Sequence, residues 1–409
     1  MNPPIPAACL DHKDLGRLLY GMTTPQSSPS PDPGGALVPA PDDLALDTMA
    51  REAEESTAEP DHSRIPSAPP SFFGLLPGEV EAILVGAGWQ RYRARQVLEW
   101  VYGKRTRNPA AMSNLGKTQR EELTRLVDLG LPRIHKKIQS PGGDAVKYAL
   151  ELRDRARVES VAMLSKRGIT LCVSSQAGCG MACVFCATGT LGLARNLKAD
   201  EIVAQVVHML ETNDWQDPGF NVVFMGMGEP LANYAQTLKA IRVLNAEEGL
   251  RVGARRITVS TCGMVPQMHR LAKEGLQLGL AISLHATTDG LRDRLVPINR
   301  RYPLRELVRA AEFYAETTGR RVTLEYILLA GVNDRKGDAE RLADLANSLP
   351  CKINLIPYNP VPQLPWQRPT DEAIQRFADW LFPRCPAVTL RWSQGGDIAA
   401  ACGQLGAKG

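Results

Sequence analysis

Apolar positions along this chain follow two rhythms. The stretch "LLPGEVEAILVGAGWQRYRARQVLEWVYGKR" carries them at helical spacing: Pro77 suits a helix start, Gly86 and Gly88 interrupt the run, and Tyr92, Val97, Leu98, Trp100 and Val101 resume it. A third helix is predicted over residues 117–129, which makes a small helical unit with Arg91, Arg93 and Arg95 on its polar side. From about Asp144 the period shortens. "AVKYALEL", "RVESVAMLS" and "ITLCVSS" read as consecutive strands. Strand and helix patterns then alternate. "DEIVAQVVHMLE" puts Ile202, Val203, Val206, Val207 and Leu210 on one stripe, and "NVVFMG", "RITVST", "LGLAISLHA", "VTLEYILL", "KINLIPY" and "AVTLRW" are strands separated by amphipathic helices.

Repeated strand–helix alternation predicts a parallel sheet covered by helices. About six such units predict an α/β fold of the β/α-barrel kind, complete or partial, with its chemistry at the C-terminal ends of the strands. Those ends are "MGMGEP", "STCG", "SLHA", "EYILLAGVN" and "PYNP".

Residues 1–70 fit neither rhythm. They hold 13 of the 30 prolines and the acidic block "REAEESTAE", a composition that cannot build a core, so a disordered extension is expected. Within it, "DHKDLGRLLYGM" (Asp11–Met22) could form an isolated helical turn or a docking motif. The expected domains are the proline-rich acidic tail (1–70), a helical accessory domain (71–135), a barrel (136–392) and a mobile C-terminal segment (393–409).

Charge sharpens this division. The first seventy residues carry 4 basic and 11 acidic side chains, and the remainder carries 44 basic against 33 acidic, a net of +11. A body this basic suits a polyanion such as RNA or DNA, and arginines beside aromatics make the helical unit a candidate RNA-binding appendage. No apolar run of membrane-spanning length and no secretory leader pattern occur, so a cytoplasmic protein is expected. Nine cysteines in a long chain, read for a reducing compartment, point to metal or redox chemistry.

Three of them, Cys179, Cys183 and Cys186, lie in "CGMACVFCATG". Thiolates are the usual ligands of iron–sulfur clusters, and three of them leave one iron of a [4Fe–4S] cube open to another ligand. An alternative adds Cys172 to make a four-thiolate zinc site in a non-catalytic RNA-binding module, although zinc sites usually come as two short knuckles separated by a spacer.

The spacing of the three cysteines, on this kind of barrel and followed by "GMGEP", resembles the radical S-adenosylmethionine superfamily. "RVES…RGITLCVSSQAGCGMACVFCATG", "FMGMGEPLANY", "SLHATTDGLRDRLVPINRRYPL", "INLIPYNPVP" and "GGDIAAACGQL" together resemble its adenine-methylating branch, the RlmN and Cfr proteins, from about Phe73 to Leu405. The resemblance implies one [4Fe–4S] cluster on Cys179, Cys183 and Cys186 and two molecules of S-adenosylmethionine per turnover. Gly228, Glu229, Ser260, Ser283, Leu284, His285 and Asn359 are the implied cofactor contacts. Cys402 corresponds to the cysteine that receives a methyl group. Cys172 corresponds to the second thiol, which forms a disulfide with Cys402 as the product leaves, and Glu159 corresponds to a proton acceptor near the target base.

The implied substrates are 23S rRNA and tRNA, methylated at carbon 2 of adenine. A monomer served by a reductant such as flavodoxin is expected. Methylation at carbon 8 of the ribosomal adenine, which confers antibiotic resistance, uses the same cysteines and stays open. One departure stands out: Gln394 occupies a place where the family often has arginine. Cys9, Cys262, Cys351 and Cys385 receive no role.

Overall fold

The computed structural model describes residues 68–166, 168–213, 219–385 and 387–406. The proline-rich segment up to residue 67, with Cys9 and the Asp11–Met22 stretch, lies outside the described residues.

The helical unit comprises α1 (Pro77–Gly86), α2 (Tyr92–Leu98) and α3 (Lys117–Leu126). Pro77 opens α1, and the Glu79 carboxylate accepts from the Leu76 N–H at 2.7 Å, satisfying one of the donors that a helix start leaves free. Gly88 turns the chain at φ +86°, the left-handed region that glycine enters without strain. Phe72 and Phe73 pack on Tyr102 with ring centroids 5.7 and 6.2 Å away, and all three are buried. Burial of each phenylalanine contributes roughly 1.5–3 kcal/mol. The third helix stops three residues short of the expected end at 129. Asp128 is drawn out instead to bridge Ser71, its N–H donating to Pro70 O at 2.8 Å.

The main sheet has ten strands. β1 (Arg133–Gln139), β2 (Ala145–Glu151), β3 (Arg157–Ser165) and β4 (Gly168–Cys172) run antiparallel in succession. A separate hairpin of β5 (Gln176–Cys179) and β6 (Gly192–Asn196) follows. From β4 the sheet continues in parallel through β7 (Phe220–Phe224), β8 (Ile257–Thr261), β9 (Gly279–Ser283), β10 (Val322–Leu328), β11 (Cys351–Pro357) and β12 (Val388–Leu390). The order β1-β2-β3-β4-β7-β8-β9-β10-β11-β12 leaves β1 and β12 unpaired with each other, so the barrel is partial.

The connecting helices are α4 (Ala199–Thr212), α5 (Tyr234–Asn245), α6 (Val265–Ala272), α7 (Asp289–Leu295), α8 (Leu304–Thr318), α9 (Lys336–Asn347) and, before β12, α10 (Asp371–Leu381). β10 is buried along its whole length, as a parallel strand covered on both faces should be.

Strand β1 starts three residues ahead of the expected barrel boundary at 136. "RIHKKIQ" is mostly charged or exposed, a composition that suits an edge strand by discouraging pairing with other chains.

Candidate active site

Two glycines bring the end of β7 onto the loop after β4. A Cβ on Gly226 would lie 2.7 Å from the Val173 carbonyl, and one on Gly228, at φ +100°, would lie 2.5 Å from Gln176 Cβ. Side chains are excluded from both positions, and the backbones close together. Gln176 Oε1 then accepts from the Glu229 N–H at 2.8 Å. The buried Glu229 carboxylate accepts from Leu231 N at 3.0 Å and from Cys262 N at 2.8 Å. Burial raises its pKa, and these N–H donors oppose the rise.

The cysteine loop leaves β5 at Cys179. Gly189 lets "CATG" fold back, since a Cβ there would sit 2.7 Å from the Cys183 carbonyl. Cys179, Cys183 and Cys186 line one cavity of about 150 Å³ together with Gly228, Glu229, Ser260, Ser283, His285 and Cys402. Burial pushes the Cys179 thiol up to about 12, and Cys183 and Cys186 rise for the same first cause. Thiols so buried become thiolates readily only against a compensating cation.

Among the described residues no three or more His, Cys, Asp or Glu side chains converge on a point where one metal ion could sit. Cys172 lines a neighbouring cavity and not this one. The four cysteines of the zinc alternative therefore do not share one cavity. Three thiols around a shared space suit a multi-iron cluster with an open corner. The same cavity contains a buried acceptor without a partner, Glu325 Oε2; the other oxygen, Oε1, accepts from Asn354 at 2.9 Å. An orphaned carboxylate oxygen facing the cavity fits a bound group that brings hydrogen-bond donors.

The ends of β8 and β9 are tied by a side chain that sequence reasoning missed. Arg292, on α7 and fully buried, donates to Leu284 O at 3.1 Å, Cys262 O at 2.6 Å, Ser283 O at 3.1 Å and Asn299 Oδ1 at 2.9 Å. Leu284 contributes its carbonyl to this network and does not line the cavity. His285 adopts φ +57°, its Nδ1 accepts from the Ile327 N–H at 3.1 Å, and its ring meets Phe185 edge-on at 4.8 Å. Burial, with the Arg292 charge adding to it, lowers its pKa to about 3, so the imidazole is neutral.

Cys172, at the end of β4, and Cys402 share a second cavity of about 40 Å³, and Cys402 and Arg391 line both cavities. Both cysteines are free thiols. Burial first, and then the neighbouring Cys402, push Cys172 up to about 12, against the Arg391 guanidinium.

Like Leu284, Asn359 and Glu159 line neither cavity. Asn359 donates to Ser393 Oγ at 2.9 Å and to Cys402 O at 3.3 Å. Glu159 pairs with Lys147 at 3.2 Å and accepts from Gly406 N at 2.8 Å. Gln394 tethers the C-terminal segment by donating to Leu164 O at 2.9 Å. Of the missed residues, Glu325 had a signal, a lone charge inside the apolar strand "VTLEYILL". Arg292 had none, because "DGLRDRL" reads as a solvated helix.

A cysteine loop of this kind on an open β/α barrel is the mark of the radical S-adenosylmethionine class, and residues 173–345 match the Radical SAM superfamily. Residues 72–129 match the Ribosomal RNA large subunit methyltransferase N-terminal domain. Proteins described as probable dual-specificity RNA methyltransferase RlmN are close in sequence. The one from Dictyoglomus turgidum is 44% identical over 80% of this chain and 94% of its own length. The one from Pelotomaculum thermopropionicum is 49% identical over 80% of this chain and 88% of its own. The crystal structure of a radical SAM methyltransferase from Sphaerobacter thermophilus is 46% identical, covers 83% of this chain and 100% of its own, and superposes with a TM-score of 0.79. The chain belongs to the RlmN family, and the resemblance read from its motifs is borne out.

Proposed function

We propose that this chain methylates carbon 2 of adenine in 23S rRNA and in tRNA, using two S-adenosylmethionine molecules per turnover, one as methyl donor and one as radical source. The observation that carries the reading is that Cys402 lines both cavities. One of them is lined by the three cysteines and the other by Cys172. When bound, a [4Fe–4S] cluster held by Cys179, Cys183 and Cys186 supplies, with S-adenosylmethionine, the one-electron chemistry that removes hydrogen from an unactivated methyl group.

The chain's own residues do the rest. Cys402 Sγ accepts the methyl group and carries it towards the base. Cys172, which lines a cavity together with Cys402, closes a disulfide with it as the methylated base leaves, and a reductant then restores both thiols. Arg391, lining both cavities, offsets part of the rise that burial imposes on the Cys172 thiol. Gly228, Glu229, Ser260, Ser283 and the neutral His285 surround the space for the cofactor. Asn359 fixes the backbone beside Cys402, and Glu159 is the proton acceptor once its partners release it.

The helical unit suits the RNA backbone and exposed bases. Tyr92 is 56% exposed with Arg93 4.9 Å over its ring, and Lys104 lies 3.7 Å over Trp100. No helix among the described residues is long and apolar enough to cross a membrane. The reading is of a cytoplasmic monomer served by a flavodoxin-like reductant. The test is digestion of a 23S rRNA fragment and of tRNA after anaerobic reaction with the reconstituted protein. 2-Methyladenosine from both is expected. 8-Methyladenosine would replace this reading with the carbon-8 alternative, and unmodified RNA without 5′-deoxyadenosine would overturn it.

A further inference from the structure

Lys147 lies in the middle of β2 and is only 7% exposed, an expensive place for an ammonium unless it is paired. Its Nζ lies 3.2 Å from Glu159 Oε1 on the adjacent strand β3 and donates to the Ala399 carbonyl at 3.2 Å. The other oxygen of the same carboxylate accepts from the Gly406 N–H at 2.8 Å. Ala399 and Gly406 stand on either side of Cys402, so one buried ion pair grips both flanks of the segment that carries this thiol.

The segment needs such a grip. Ala399 is held at φ +52°, a left-handed conformation that strains a non-glycine residue. Gly395, Gly403 and Gly406 also have positive φ, at 69°, 84° and 83°. The glycines adopt these angles without strain, whereas Ala399 keeps its conformation only where its surroundings over-determine it. Further contacts help: Ala187 N donates to Gly403 O at 2.8 Å, Thr188 Oγ1 to Leu405 O at 2.6 Å, and Gln404 Nε2 to Pro360 O at 3.0 Å.

We infer that Lys147 is the positioning residue for the methyl-carrying segment: with Glu159 it forms a two-handed latch that seats Cys402 between the cavities, and opening the latch frees Cys402 and the Glu159 carboxylate together. Turning the Glu159 carboxylate towards a target base exchanges its contacts with Lys147 and Gly406. Arrival of the base and release of the segment are thereby coupled. The role given to Cys402 rests on the function proposed above, whereas the latch rests on the contacts alone.

The experiment uses the full chain, purified anaerobically with its iron–sulfur content matched between variants. Amide hydrogen exchange of residues 399–406 and the alkylation rate of Cys402 by N-ethylmaleimide are compared for the parent, Lys147→Met and Lys147→Arg. Methionine keeps the stem and loses the ammonium. About tenfold faster exchange and alkylation is expected, the scale for opening of a segment that loses charge-assisted hydrogen bonds. Arginine, which keeps the charge, should recover most of the protection, a rescue that a mere packing role would not produce. Exchange within β10 serves as the internal standard and should not move.

Should Lys147→Met fail to fold, Gly406→Ala acts on the other hand of the latch. At φ +83° an alanine is strained, and its Cβ would lie 2.7 Å from Leu191 Cδ1, so the same loosening is expected. Unchanged exchange and alkylation in the folded variants overturn the latch. The S-methyl mass increment on Cys402 is scored separately, and its absence from the parent chain overturns the proposed function without touching the latch.

Discussion

Removing the Arg292 guanidinium should loosen the barrel mouth and the site together. Arg292 is completely buried, and its donors satisfy the carbonyls of Cys262, Ser283 and Leu284 as well as Asn299 Oδ1. Burial holds its pKa down at about 10, so at neutral pH the side chain is still charged. In Arg292→Met, Leu284 O keeps the Ala286 N–H at 2.7 Å, but the other acceptors lose the Arg292 donor in a place water does not reach, at about 1–3 kcal/mol for each buried group left unsatisfied. Part of this is offset because the guanidinium no longer has to be desolvated. A net loss of roughly 3–5 kcal/mol follows, the range for breaking a buried ionic network from one side.

With an unfolding entropy of about 2.1 cal/mol/K per residue, a domain of this size loses roughly 1–1.5 °C per kcal/mol, so Tm should fall by about 4–7 °C. Urea unfolding of the cluster-free chain, followed by circular dichroism, measures the loss directly as a lower midpoint at constant slope. S-Adenosylmethionine affinity of the reconstituted variant should fall as well, because the ends of β8 and β9 carry Ser260, Ser283 and His285. Arg292→Lys should recover only part of the loss, since one ammonium cannot reproduce a planar fork of donors. If Arg292→Met unfolds at the parent's urea midpoint with the parent's slope, the carbonyls are not held by Arg292 and the reasoning fails.

Cys172→Ala should accumulate a covalent RNA adduct at Cys402, seen as a species of retarded mobility on a denaturing gel; normal turnover would remove Cys172 from its proposed role. His285 should stay neutral far below the usual histidine range. Its folded pKa is depressed to about 3, so its contribution to stability is present above the unfolded value near 6.5 and is lost as pH falls through about 3. An NMR titration in which its ring protons shift at pH 6 would contradict the burial argument. Arg95→Gln, on the exposed face of α2, should lower the slope of log affinity for RNA against log salt concentration by about one unit. An unchanged slope in filter binding would take this helix off the RNA.

The long-range architecture was legible because helical and strand periodicities are local. Each strand–helix unit shows itself within twenty or thirty residues, and three cysteines spaced over one loop announce their chemistry without help from the rest of the chain. The features that escaped have equally physical reasons. β1 is mostly charged and the strands of the β5–β6 hairpin are only four and five residues long, so their pairing, and not their pattern, makes them strands. α7 reads as solvated charge, yet Arg292 is the hub of a buried network.

Sequence by itself determined the strand–helix alternation of the barrel, the three-cysteine loop and the glycine–glutamate strand end, and it singled out Cys172 and Cys402. Only tertiary structure brought Cys402 beside Cys172, seated Glu325 with a bare oxygen in the cavity, and closed Lys147 and Glu159 over Ala399 and Gly406. Those contacts join residues far apart in the chain. They depend on how the whole sheet curves and where the C-terminal segment returns, and no local pattern of apolar and polar positions encodes that path.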